Sequence, residues 1–245
     1  MPLVNTRLDG EILLISINRP EKRNCVNHAT AIELVKAFER FNRDPAVKIG
    51  ILYGEGGNFC AGYDLSEISQ LENAVTDDRF PNEYRYLGPS IIPLDKPLIV
   101  AVEGYAVAGG LELSLMADIR VCSRSAKFGV FCRRHGVPLI DGGTVRLPRI
   151  NMLFLCIFMA LDMTLTGRAI DATEALQWGL VTKVVDDGKA LDTALQMAAE
   201  LLRYPYACML SDRRSMLKSY DLTTAEAFEF ELNSVAVIPE AIQGR

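Results

Sequence analysis

Two glycine-flanked stretches hold the residue types and spacing that carbonyl chemistry needs. They are Phe59-Cys60-Ala61-Gly62-Tyr63-Asp64-Leu65 and, further along, Gly104-Tyr105-Ala106-Val107-Ala108-Gly109-Gly110-Leu111-Glu112-Leu113. Each follows an apolar run that reads as a buried strand, and each places small residues where the chain has to turn sharply. Together they are able to aim two backbone N–H groups at one oxygen atom, with the carboxylate of Glu112 one helical turn away. That combination suits chemistry on a thioester carbonyl, because preorganised donors stabilise charge where it develops.

Other site types are poorly served. There is no GxSxG elbow, no P-loop and no GxGxxG after a strand, and His28 and His135 are the only histidines. The six cysteines, at 25, 60, 122, 132, 156 and 208, form no CxxC pair. No metal site is therefore expected, and the thiols read as buried and reduced. A net charge of −5 with scattered Lys and Arg gives no support to a nucleic-acid partner. The longest apolar run, Ile150 to Leu161, is closed by Asp162 and is too short to cross a membrane. It reads as a buried core helix with Phe154 and Phe158 as core residues. The opening Met1-Pro2-Leu3-Val4 has neither a secretory nor a transit pattern. A cytoplasmic location is the expectation, with mitochondrial and peroxisomal ones left open.

The elements that must position these residues alternate between strand and helix. Glu11 to Asn18, Lys48 to Tyr53, Leu98 to Val102 and Ile119 to Ser123 read as buried strands, and Leu180 to Val185 as a short one. Asn27 or His28 to Phe41 carries apolar residues at 31, 34, 35, 38 and 41, the spacing of an amphipathic helix. Leu65 to Pro97, with Pro81, Pro89 and Pro93, is expected to be a helix plus a mobile loop. Asp171-Ala172-Thr173-Glu174 reads as a capping box opening a helix that Gly179 closes. From Ala190 onward the pattern is helical, with Leu191, Ala194, Leu195, Ala198, Leu201 and Leu202 on one face and another helix from Thr223 to Val237. The alternation argues for an α/β core. At 245 residues, with 49% hydrophobic and 23% charged residues, the chain has room for one sizeable core.

Taken in order, the segments Asn18 to Asn27, Phe59 to Leu65, Gly104 to Asp118, Gly136-Val137-Pro138 and Gly142 to Pro148 resemble those of the crotonase superfamily, the enoyl-CoA hydratase/isomerase family. The likeness runs from about residue 8 to the C-terminus. It implies a spiral of ββα units over residues 1–188 and a C-terminal helical trimerisation region over 189–245, assembled as a homotrimer or a dimer of trimers. It also implies an acyl-CoA substrate and no separate cofactor, coenzyme A being part of the substrate.

Carried over position by position, the family's oxyanion hole falls on the N–H groups of Tyr63 and Gly109. Glu112 falls on one of the two acidic groups that handle water and the α-proton in hydratases. The second falls on Cys132, which departs from the pattern and reads better as a structural thiol. Asp141 is either a substitute acid or base, or a cap for the helix starting near Gly142. Lys22 and Arg23 are placed for phosphates, or are solvated turn charges. Cys25, Ala61, Asp64 and Leu65 match positions lining the pantetheine and adenine pocket, and Gly110 and Cys132 join them at the substrate. The expected function is an enolate-forming enzyme on acyl-CoA thioesters, of the hydratase/isomerase type. Two alternatives are a decarboxylase of malonyl-type thioesters and a catalytically weak acyl-CoA-binding relative.

Overall fold

The computed structural model describes residues 1–68, 84–150 and 155–234. The chain opens with β1 (Val4–Asp9), which turns at Gly10 to run antiparallel to β2 (Ile12–Ile17). It continues through α1 (His28–Arg43), β3 (Ile49–Gly54), the single turn α2 (Leu65–Ile68), β4 (Leu98–Val102), β5 (Tyr105–Val107) and α3 (Gly109–Ser114). Next come β6 (Ile119–Ser123), β7 (Lys127–Gly129), α4 (Gly143–Arg146), α5 (Leu155–Thr166), β8 (Ala169–Asp171), α6 (Ala172–Gln177) and β9 (Lys183–Val185). Three helices follow: α7 (Ala190–Leu201), α8 (Tyr206–Ser219) and α9 (Thr224–Asn233).

The described strands form a main sheet in the order β1-β2-β3-β4-β6-β9 and a second sheet in the order β5-β7-β8. From β2 to β9 the main sheet is parallel. Its central strands are covered on both faces, which is why they read as unbroken apolar runs: every residue of β2 and of β4 is buried. One face meets α1, where Leu13, Ile15 and Ile17 share a cluster with Phe38 and Phe41. Burying each of those rings contributes roughly 1.5–3 kcal/mol. The other face carries Ile12, Leu14, Ile49, Ile51, Ile99 and Val121 against Ala190, Ala194 and Ala198 of α7. Alanines there let the helix lie close to the sheet. The first element past residue 188 is thus packed on the main sheet.

The two sheets are wound by a repeating ββα unit. Each turn contributes a strand to the main sheet, a short extended piece to the second layer, and then a helix: β3, Cys60 and α2; β4, β5 and α3; β6, β7 and α4. The short pieces stack in parallel, Cys60 beside Ala106 and Ala106 beside Phe128. Equivalent points on successive turns are therefore neighbours in space. This is the spiral α/β architecture that the motif order implied.

Several expectations change. The helix that opens at Gly109 does not run through the whole Gly104 to Asp118 segment but stops at Ser114, and Asp118 beyond it accepts from the Leu98 N–H and pairs with Arg213. The capping box at Asp171 is only half made: Asp171 Oδ1 accepts from the Glu174 N–H, but the Glu174 carboxylate binds Arg168. A complete box stands instead at Thr223 and Glu226, at the start of α9. From Ile157 on, the apolar run is not a buried core helix. Phe158, at 66% exposed, lies on the outer face of α5, whose inner face buries Ala160 and Met163. Phe154, residues 69–83 of the segment expected to hold a helix and a mobile loop, and residues 235–237 of the expected last helix lie outside the described residues. Among the described residues no helix is long and apolar enough to cross a membrane, no group of His, Cys, Asp and Glu is placed to hold a metal ion, and Cys25, Cys60, Cys122, Cys132 and Cys208 are free thiols.

Candidate active site

The site lies where second-layer pieces give way to helices on successive turns of the spiral. After Cys60 the chain turns at Gly62, whose φ of 99° is costly for any residue with a Cβ. A Cβ at Gly62 would stand 2.9 Å from the Ala108 Cβ and 3.1 Å from the Gly109 nitrogen. The Gly62–Tyr63 segment and the start of α3 are therefore in direct contact. One turn later Ala108 also has a positive φ, 53°, in a region that costs a non-glycine residue about 1–3 kcal/mol. Its N–H donates to the Gly129 carbonyl at 2.8 Å, which holds the strained turn in place. Gly109, the first residue of α3, has an N–H that precedes the helix's own hydrogen-bond ladder. Gly110 has a packing role, since a Cβ there would overlap the Cys60 carbonyl.

Glu112 follows in α3 and is 3% exposed. Its Oε1 accepts from the backbone N–H groups of Asp141 at 2.9 Å and Gly143 at 2.8 Å. Burial, and then the charge of Asp141, push its pKa up to about 7 against the opposing pull of those two N–H groups and of Arg146. Its other oxygen accepts no hydrogen bond from the described residues.

Asp141 is 2% exposed and belongs to the same cluster. Its Oδ1 accepts from the Ser90 hydroxyl at 2.6 Å and from the Leu87 N–H at 3.0 Å. The cap expected of Asp141 is not made: the N-cap of α4 is Gly142, in the left-handed region, and Asp141 points away to Leu87 and Ser90. The carboxylate that meets the start of α4 is that of Glu112. Burial raises the pKa of Asp141, with Ser90, Leu87, Arg85 and Arg146 working the other way. Leu87 links the parts, because its side chain covers Gly109 while its N–H holds Asp141.

Cys132 is half-buried, and burial and then the nearby Glu112 carboxylate raise its pKa, so it is a neutral thiol. Arg23 and Asn24 form a left-handed turn at the mouth of the first unit, with the Arg23 guanidinium 5.5 Å from the centre of the Tyr105 ring. The Asn24 side chain pins that turn to the carbonyls of Glu55 and Asn58. Lys22 and Arg23 are exposed, Cys25 is half-buried, and the Ala61 N–H donates to the Arg23 carbonyl. Asp64 has both oxygens engaged inside the protein, Oδ2 by Arg19 at 3.0 Å and Oδ1 by Ser66. Leu65 is exposed. The Tyr63 ring stands edge-on to Tyr86 at 5.5 Å, with its hydroxyl donating to Glu67.

Two contributors, Ser90 and Leu87, carried no sequence signal, and a third, the Gly143 N–H, lies in a segment of the resemblance that assigned it no role. The first two sit in a segment without periodicity, and the third acts through its backbone.

The fold and the site define a class: a spiral α/β protein with a strained helix start, a packed glycine turn and two buried acids linked through the Asp141 N–H. Comparison with known proteins bears on the fold and the family. The family model for enoyl-CoA hydratase/isomerase matches residues 7–240. An enoyl-CoA hydratase of Mycobacterium tuberculosis is 37% identical over 91% of this chain and 83% of its own length. A carnitinyl-CoA dehydratase of Escherichia coli K12 is 34% identical over the same shares. Among solved structures, an enoyl-CoA hydratase of Mycobacterium tuberculosis H37Rv superposes with a TM-score of 0.87 at 33% identity, over 96% of this chain and 90% of that one. A carnitinyl-CoA dehydratase of Mycobacterium avium 104 gives 0.80 at 32% identity, over 98% and 91%. The chain belongs to the enoyl-CoA hydratase/isomerase family of the crotonase superfamily.

Proposed function

We propose that this protein is an acyl-CoA hydratase or dehydratase in which Asp141 replaces the acid missing at Cys132. The Tyr63 and Gly109 N–H groups hold the thioester oxygen. In the hydration direction a water oxygen bonds to the β-carbon and gives its proton to one carboxylate. Negative charge passes to the thioester oxygen as the enolate forms. The other carboxyl, protonated at the start, then gives its proton to the α-carbon and is left ionised, and the thioester carbonyl is restored. Removing one donor of such a hole typically costs about 10²–10³ in kcat.

The observation that carries this reading is the pair of buried carboxylates. Glu112 and Asp141 are 3% and 2% exposed, burial and then the charge of Asp141 raise the pKa of Glu112, and each is anchored through a single oxygen. A site with one acid would suit decarboxylation or simple binding better. The exposed Arg23 and Lys22 are the groups we assign to the CoA phosphates, and Cys25, Ala61 and Leu65 to the pantetheine side.

The test is turnover of crotonyl-CoA, followed by loss of the enoyl-thioester absorbance. Wild-type protein is expected to hydrate it and Glu112→Gln to fail. Binding of acyl-CoA without turnover would replace this reading with that of an acyl-CoA-binding relative. Release of CO₂ from a malonyl-type thioester, without hydration, would replace it with a decarboxylase.

A further inference from the structure

Ser90 lies outside every motif, in the stretch before β4, yet it makes one of the shortest buried contacts of the site. It is fully buried, and its Oγ donates to Asp141 Oδ1 at 2.6 Å, across 51 residues of chain. The same oxygen accepts from the Leu87 N–H at 3.0 Å. Two donors on one carboxylate oxygen favour the ionised acid. Among the described residues Glu112 accepts only from backbone N–H groups, at 2.9 and 2.8 Å, and burial and then the charge of Asp141 favour its neutral form. The 2.6 Å O–H···O contact at Asp141, in contrast, has the length of a hydrogen bond to an ionised oxygen. The environments of the two acids therefore differ in a way that separates their roles.

We propose that Ser90 is a positioning residue that makes Asp141 the ionised member of the pair, leaving Glu112 to carry the proton. In the hydration direction Asp141 would then take the proton from water and Glu112 would supply the one that goes to the α-carbon. This assignment rests on the reading above for its reaction, but the protonation order can be measured without turnover.

The charged and titratable groups facing the pair are few among the described residues. Arg146 of α4 acts on both acids and Arg85 on Asp141, while Cys132 faces Glu112. Among the described residues, only Ser90 and the Leu87 N–H bond directly to the Asp141 carboxylate. A hydrogen bond to a charged group is worth enough to change proton affinity by about tenfold.

The test uses the full chain with ¹³C-labelled Asp and Glu carboxyls, titrated by NMR, with Asp141→Asn and Glu112→Gln to assign the two signals. In Ser90→Ala the Asp141 titration is expected to move up in pH, by roughly a tenfold change in proton affinity. The Glu112 titration should move down, since its neighbour is less often charged. Ser90→Cys, nearly isosteric and a weaker donor, should move both in the same directions by less and serves if the alanine variant does not fold. The basic limb of the kcat/KM profile should follow the Glu112 signal. Carboxyl titrations unchanged in a folded Ser90→Ala or Ser90→Cys protein would overturn the inference. So would a wild-type titration in which Glu112 ionises before Asp141. If the signals move as expected but no thioester is turned over, Ser90 keeps its role and the hydratase reading falls.

Discussion

At Glu112, activity and stability pull in opposite directions. The acid is protonated in both folded and unfolded chains below its ordinary pKa of 4.5. Between there and about 7 the unfolded chain releases its proton while the folded one keeps it. The folded state then binds more protons, so stability falls as pH rises through that window and stays lower above it. Glu112→Gln keeps an acceptor for the Asp141 and Gly143 N–H groups and removes the buried charge. It is expected to raise unfolding free energy by on the order of 2 kcal/mol at about pH 8, with no gain at about pH 4. The same variant should lose about 10²–10⁴ in kcat. Urea melts at the two pH values and steady-state rates check both. Asp141→Asn should lower kcat by about 10²-fold or more, whereas Cys132→Ser should stay within about tenfold of wild type, since a neutral thiol is a poor proton carrier. Equal losses from both variants would move the second acid-base role back to the position of Cys132. Glu112 was legible in the sequence because it follows Gly109 by three residues. The partners of Asp141 were not: Ser90 comes from a distant, aperiodic segment, and no local pattern announces a contact across 51 residues.

The elements divide by how much of their environment is local. β2, β3, β4 and β6 were legible because a parallel strand buried on both faces needs nothing but a run of apolar residues. β1, an edge strand with only Val4 buried, and the three-residue strands β5, β7 and β8 carry too little pattern to be found. Those short pieces nevertheless build the layer from which the site hangs, and the turns leaving them govern its geometry. Gly62→Ala would put a Cβ against Ala108 and Gly109 while holding a positive φ. A loss of about 1–3 kcal/mol in stability is expected, together with a drop in kcat that exceeds any rise in KM for the acyl-CoA. Ala108→Gly acts the other way, removing strain at φ 53° at the cost of a more flexible unfolded chain. Its stability should change by less than about 1 kcal/mol, and the two variants together separate strain from contact. If Gly62→Ala were as stable and as active as wild type, the turn would not be what sets the distance between the two segments.

The outer surface of the whole molecule shows what apolar runs leave open: they say that a residue will be covered, without saying by what. On α5, Phe158, Leu161 and Leu165 form one stripe, exposed by 66%, 43% and 68%, and on α9 Phe228 and Leu232 are exposed by 67% and 75%. A monomeric soluble protein rarely leaves contiguous apolar patches of this kind in water. We therefore expect the chain to associate with copies of itself, as the resemblance to trimeric relatives implied. Association would reach the site as well, because α5 braces the turn that carries Cys132. Arg133 Nε donates to the Thr164 carbonyl, and the Arg134 guanidinium to that of Gly167 just beyond the helix. Sedimentation should give wild-type protein a mass that is a whole multiple, above one, of the 27.1 kDa chain. The double variant Phe158→Lys, Leu165→Lys should sediment at a lower multiple and lose activity in proportion to the dissociated fraction. Both substitutions lie on the exposed face, so the folded chain should survive them with unchanged far-UV circular dichroism. A wild-type mass of one chain would mean that the stripe meets no copy of itself, and that the site is complete in the monomer.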